Sequence, residues 1–390
     1  PDALESRAES AEESMDVFRK RLEDATERLR LAREERKQLA ADEAERLRAE
    51  REASGAEDEG ESAQEGGEAA GGEAEEDKES EEAVGNAADG GLCAFLKEGG
   101  AEVLEGSVTD ADAVAAAMAG VDGVFHLAGV VEHSRRAPGK LAEASGRGTA
   151  QVLQSASDAG VRRVVYASTS GTVAVGRDPD FMGTDASPYA RECVRDWPYY
   201  ANKIESEVAG RRQAEDLGLD LLVMRPSLLL GPGDSRLSSC RSVLDAFDGK
   251  VPFVPSGGLN FVDVRDAAGA FAAAMSRGRP GASYILGGAN MTFRDYFKKI
   301  ADLSGRAGPR LCMPSWLGWL PWALAWLASK VAALFGAWDP SLDPVVVEMS
   351  QRYWYADPRA ARQDLGFAPR DPDATLRDTI EWLRENRPLK

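Results

Sequence analysis

Between residues 101 and 230, short runs rich in β-branched and apolar residues alternate with helix-length patterns, and few folds accommodate that alternation. Strands separated by helices return in the same direction, which makes the sheet parallel and the class α/β. Residues 101–106 (AEVLEG) read as a strand and 110–119 as a helix. A buried strand follows at 123–129 (GVFHLAG), then a helix at 148–159 and a strand at 163–167 (RVVYA). After a helix opening at Pro198 comes another buried strand, 219–224 (LDLLVM). Ligands of open parallel sheets sit outside the carboxyl ends of the strands. One such end delivers a hydroxyl cluster, Ser168-Thr169-Ser170.

Proline at a helix start places Tyr199 and Lys203 four residues apart on one helical face. A phenol of ordinary pKa near ~10 is a poor base at neutral pH, but a neighbouring cation favours the phenolate and pulls that value down. Hydroxyl, phenol and ammonium are the parts of a carbonyl/alcohol proton relay. Taken alone the Tyr/Lys pair is weak, because that spacing often arises by chance.

Composition narrows the partners. The formal charge of the 390 residues is -19, which argues against nucleic-acid binding. Much of it lies in 54–90, where fourteen acidic residues meet one lysine and large apolar side chains are nearly absent. Such a segment cannot bury enough surface to offset its chain entropy and reads as a disordered acidic linker. Ahead of it, residues 1–53 carry a heptad seam over 4–47, with Arg36 slipping its phase. The seam reads first as a coiled coil that would pair two chains or recruit a partner helix, and second as a solvated, salt-bridged single helix. Four scattered cysteines and two histidines, His126 and His133, give no metal-ligand spacing, so no metal is expected. His126 is expected in the core or at a strand end. No cleavable signal sequence is visible. The expected location is the cytoplasm, or an organelle if a leader precedes Pro1.

Six segments in order, GVDGVFHLAG (120–129), VRRVVYASTSGTV (161–173), PYYANKIESE (198–207), RPSLLLGPGD (225–234), GGLNFVDVRDAA (257–268) and LRDTIEWLREN (376–386), carry a specific likeness. Residues 96–383 resemble an extended short-chain dehydrogenase/reductase of the NAD-dependent epimerase/dehydratase group, nearest to dihydroflavonol-reductase-like and 3β-hydroxysteroid-dehydrogenase-like members. The resemblance implies a Rossmann-like parallel sheet with a smaller C-terminal substrate lobe. It implies NAD or NADP as cofactor and a small-molecule substrate bearing a hydroxyl or carbonyl: a sugar nucleotide, or a flavonoid-like, steroid-like or lipid-linked compound. Tyr199 becomes the general acid/base, and Lys203 lowers its pKa while holding the nicotinamide ribose. Thr169, or else Ser168, bonds the reacting oxygen. Leu127, Ala128 and Gly129 line the cofactor, and Pro226 and Ser227 flank the nicotinamide.

The sequence departs from that pattern at its start. Members open with a strand, a TGxxGxxG turn and a helix, whose glycines let a pyrophosphate approach backbone N–H groups. Here the resemblance begins near the third strand, so an N-terminally truncated sheet is expected, with an exposed edge. The nearest glycine string, 85–91 (GNAADGG), lacks the spacing. Ser107 replaces the acidic residue that contacts adenine, and Ser145 stands for an asparagine at a helix start. These changes set a second reading beside the enzyme: a structural or scaffolding subunit assembled through its N-terminal helix.

The domain expectation is therefore helix 1–53, linker 54–90 and an epimerase/dehydratase-like domain 91–390, with the substrate lobe mainly in 235–260 and 284–390. Within the lobe, 316–338 holds five tryptophans and a single lysine, Lys330. Its length approaches the ~20 residues that span a bilayer, although Pro321 interrupts it. It reads as lobe core first, then as a membrane-surface contact.

Overall fold

The computed structural model describes residues 96–97, 99–131, 142–251, 253–306, 308–309 and 344–386. The helix of 1–53, the linker 54–90, the glycine string and the 316–338 segment lie outside the described residues. Two units meet at Val103 and Leu104. Of the first, Leu96 closes a turn by accepting from the Ala101 N–H. The rest of the fold belongs to the second unit.

Four parallel strands form its main sheet: β1 (Gly123–His126), β2 (Arg163–Ala167), β3 (Asp220–Pro226) and β6 (Ser283–Leu286), in the order β1-β2-β3-β6. Side chains alternate across a strand, and in β2 and β3 both faces are dry. Val164, Tyr166, Leu221 and Val223 face α1 (Ala111–Ala117), α2 (Gly148–Asp158) and α4 (Pro198–Leu217). Val165, Leu222 and Met224 face the opposite way, onto the alanines of α6 (Val264–Arg277) and onto α9 (Arg359–Leu365). This two-sided burial explains why the strands read as nearly continuous apolar runs. Small residues at 267, 270, 273 and 274 let α6 lie close to the sheet. Arg163 locks the register by donating 2.6 Å to Asp220 on the paired strand and capping the last carbonyls of α6.

The strand expected over 101–106 does not form. An isolated strand gains stability only against a partner, and none of the described strands lies beside these residues, which leaves Leu104 56% exposed. β1 therefore ends the described sheet, with Phe125 at 45% and Leu127 at 61% exposure. It is also shorter than expected, stopping at His126 so that Leu127, Ala128 and Gly129 lie beyond its end.

A second sheet, β4-β5-β7, contains β4 (Leu228–Leu230), β5 (Gly258–Asp263) and β7 (Ala289–Thr292). It packs with α5 (Arg241–Phe247), α7 (Phe293–Ser304) and α10 (Pro372–Glu385) around Phe261, Tyr296 and Trp382. Two segments expected in the lobe belong to the main sheet instead: β6 pairs with β3 and α9 packs on its face, while β7 joins the smaller sheet. Links of one and two residues join the two sheets. Ser227 alone separates β3 from β4, and Gly287-Gly288 separates β6 from β7. The Ser227 N–H (3.0 Å) and hydroxyl (3.2 Å) both donate to the Leu286 carbonyl. Among the described residues no helix is long and apolar enough to cross a membrane.

Candidate functional site

The carboxyl ends of β1, β2 and β3 converge, and α4 runs beside them. α4 starts with Pro198 in its first turn and stops at Gly218, whose φ of 68° is the left-handed conformation that ends helices. Its first turn packs through Tyr200 onto the turn Ser170–Thr172. A β-carbon at Gly171 would lie 2.3 Å from the Tyr200 ring, so only glycine lets the two elements meet. Trp354 stacks over Trp197 with ring centres 5.5 Å apart and closes the cluster.

Tyr199 stands in this first turn, its ring edge-on to Tyr200 at 4.9 Å. Thr169 caps the adjoining turn, its hydroxyl accepting from the Gly171 N–H at 3.3 Å. One helical turn on, buried Lys203 donates to the Ala167 carbonyl at 3.1 Å and lies 5.5 Å from the Tyr166 ring centre. Gly129, beyond the end of β1, approaches the same ammonium: a β-carbon there would come within 3.2 Å of Lys203 Nζ. The fold thus brings Tyr199, Lys203, Thr169 and Gly129 to one sheet end.

The electrostatics differ from the expectation in one respect. The Tyr199 phenol is pushed up to about 12 by burial rather than drawn down by Lys203. Lys203 in turn is drawn down to about 8 by burial, against the opposing pull of the Glu207 carboxylate. Desolvation penalises both charged forms at once, and the ammonium is directed at Ala167. His126 is a buried core residue as expected: its Nε2 is 3.0 Å from the Thr149 hydroxyl, its ring stacks on Tyr166, and burial and then Lys203 lower it to about 4.

Two expected site residues are committed elsewhere. The Ser168 hydroxyl donates to Glu207 at 2.9 Å, and the Ser227 hydroxyl is held by Leu286. Ser107 bonds Thr109 at 2.8 Å in an exposed turn, and Pro226 closes β3. Sequence reasoning gave no role to the group behind Ser168. Fully buried Glu207 pairs with Arg225 at the end of β3, accepts from Tyr189 at 2.9 Å and lies 3.6 Å from Arg211. Arg225 also approaches Asp185, whose carboxyl accepts from the Ile285 N–H at 2.7 Å and is raised to about 6 by burial. The signal was the third step of a four-residue repeat, Tyr199, Lys203, Glu207.

A dinucleotide's nicotinamide-ribose end fits this arrangement, because the bare Gly129 backbone and an ammonium with three donors meet at the strand ends. The comparisons point the same way. The chain is 29% identical to a putative dihydroflavonol 4-reductase of Synechocystis over 70% of this chain and 79% of that protein. It is also 29% identical to sterol demethylase protein B of Methylococcus capsulatus, over 72% and 84%. Among solved structures, gox2253 superposes with a TM-score of 0.65 at 27% identity, covering 76% of this chain and 88% of that one. DesIV, a dTDP-glucose 4,6-dehydratase from Streptomyces venezuelae solved with NAD bound, gives 0.55 at 25% identity, over 72% and 79%. The model of the NAD dependent epimerase/dehydratase family matches residues 72–287, more than half of the chain. With that match resting on a parallel sheet whose strand ends gather Tyr199, Lys203 and Thr169, the chain belongs to the NAD dependent epimerase/dehydratase family, whose cofactor is a nicotinamide dinucleotide.

Proposed function

We propose that the chain is an NAD(P)-dependent dehydrogenase or reductase acting on a hydroxyl or carbonyl of a largely apolar small molecule. The observation that carries this reading is Lys203, buried between the Ala167 carbonyl and Gly129, one helical turn from Tyr199. The nicotinamide, when bound, supplies the hydride. Thr169 holds the substrate oxygen by a hydrogen bond, and Tyr199 transfers the proton at that oxygen. Lys203 donates to the ribose and offsets the charge left on the phenolate. Burial raises the Tyr199 phenol to about 12, so the free chain holds it protonated. The preference for an apolar substrate is supported by similarity to a putative dihydroflavonol 4-reductase and to sterol demethylase protein B.

A second reading, a structural subunit that kept the fold and lost turnover, is favoured by the exposed side chains of Phe125 and Leu127 at the sheet's end. Fluorescence titration with NADH and NADPH separates the two. Saturable binding of either supports the enzyme; binding of neither leaves the structural subunit.

A further inference from the structure

Behind the proposed relay lies a closed set of buried polar groups drawn from every element that carries it. Glu207 is wholly buried on α4, one turn after Lys203 and two after Tyr199. One carboxylate oxygen, Oε2, accepts from the Ser168 hydroxyl at 2.9 Å and from Arg225 Nε at 3.3 Å. The other, Oε1, accepts from the Tyr189 hydroxyl at 2.9 Å and from Arg225 Nη2. Ser168 is the residue immediately before Thr169, and Arg225 immediately precedes Pro226 at the end of β3. A single carboxylate therefore joins the ends of β2 and β3 to the helix that bears the phenol and the ammonium. Ordinary core packing would not require it, since a buried ion pair replaced by apolar residues of similar volume often leaves stability unchanged.

Resting on the functional reading above, we infer that Glu207 is a positioning residue: through Ser168 it fixes the turn that presents Thr169, and it sets a buried negative charge one helical turn from Lys203, the proposed contact of the dinucleotide ribose. The charged and titratable groups around it are Arg225 from β3, Arg211 and Lys203 from α4, Tyr166 from β2, and Tyr189 and Asp185 from the segment before α4. Lys203 itself lies 5.5 Å from the Tyr166 ring centre and interacts electrostatically with Glu207 and His126. Glu207 is the group that opposes the loss of its proton.

The test is dinucleotide binding by NADH fluorescence between pH 6 and 10, in the full chain and in Glu207→Gln, Lys203→Met and the double variant Glu207→Met/Arg225→Met. In the full chain, binding weakens as pH rises through the lysine's titration. Glu207→Gln keeps the shape and removes the charge, so that midpoint moves down by about one unit, a tenfold loss of affinity on the alkaline limb. The double variant removes the buried pair together, leaving Arg211 and Asp185 with one ionic partner fewer each, and shows a downward shift even where Glu207→Gln fails to fold. A merely structural pair would leave the midpoint of the folded double variant where it was, and that result overturns the inference. If Lys203→Met binds NADH as the full chain does, the assignment of Lys203 to the ribose fails instead.

Discussion

The Lys203 ammonium donates to the carbonyl of Ala167 at 3.1 Å, where β2 ends and the turn bearing Ser168 and Thr169 begins. A side chain of the helix is thereby tied to the backbone of the strand whose end carries the hydroxyls. This tie and the packing of Tyr200 against Gly171 together hold the first turns of α4 against the turn that carries Thr169.

Tyr199→Phe removes the phenol oxygen to which the proposed function assigns proton transfer and leaves the ring packing against Tyr200 intact. We predict a loss in turnover of about 10²–10⁴-fold, with dinucleotide affinity nearly unchanged. Steady-state kinetics beside an NADH titration checks it, and normal turnover would take Tyr199 out of the mechanism.

Glu207→Ala strands Arg225 in a buried site with its main partner gone. The predicted cost is about 3–5 kcal/mol of stability. Urea unfolding of the two chains measures it directly; a change below about 1 kcal/mol would mean that water or Asp185 takes over the guanidinium.

Gly171→Ala forces a β-carbon to within 2.3 Å of the Tyr200 ring, which Trp354 prevents from retreating. Overpacking of this kind costs about 1–3 kcal/mol, and the shift displaces the turn that carries Thr169. Turnover should fall more than dinucleotide binding. Equal losses in both would place the damage in the fold rather than in the turn.

Two buried groups shape the acid limb of stability in opposite senses. His126, lowered to about 4 in the folded chain, binds its proton more readily when unfolded. Its contribution is fully present above the unfolded value of about 6.5 and is lost as pH falls toward 4. Asp185, raised to about 6, binds its proton more readily when folded, so its contribution is present below about 4 and is lost as pH rises through 6. Over the same window the two nearly cancel. His126→Gln is predicted to make stability fall as pH rises from 4 to 6, and Asp185→Asn to make it rise more steeply. Urea midpoints at several pH values separate the slopes, and parallel curves for the two variants would contradict both assignments.

Much of the main sheet was legible in the sequence, because strands buried on both faces announce themselves as apolar runs such as 163–167 and 219–224. Pro198 and the spacing of Tyr199 and Lys203 fixed the face of α4 for the same reason: both are local. Residues 101–106 had the composition of a strand, yet a strand is a property of two segments, and composition says nothing of the second. The phenol's pKa was misjudged because spacing reveals a neighbouring charge but not the desolvation around it. The group of Glu207, Arg225, Tyr189 and Ser168 escaped notice for a related reason, since its members lie up to 57 positions apart and meet only when the strand ends come together.

The passage from β3 to β4 through Ser227 alone has a mechanical consequence. A hinge needs a few residues whose torsions can absorb a rotation, and here the connecting residue spends both its donors on the Leu286 carbonyl of the neighbouring strand. The two sheets are thus coupled at their shared seam, and a swinging jaw is not the way such a chain would close over a substrate. A proline or alanine at 227 would therefore be felt in both sheets at once, since the same residue carries the chain across and ties it to the neighbouring strand.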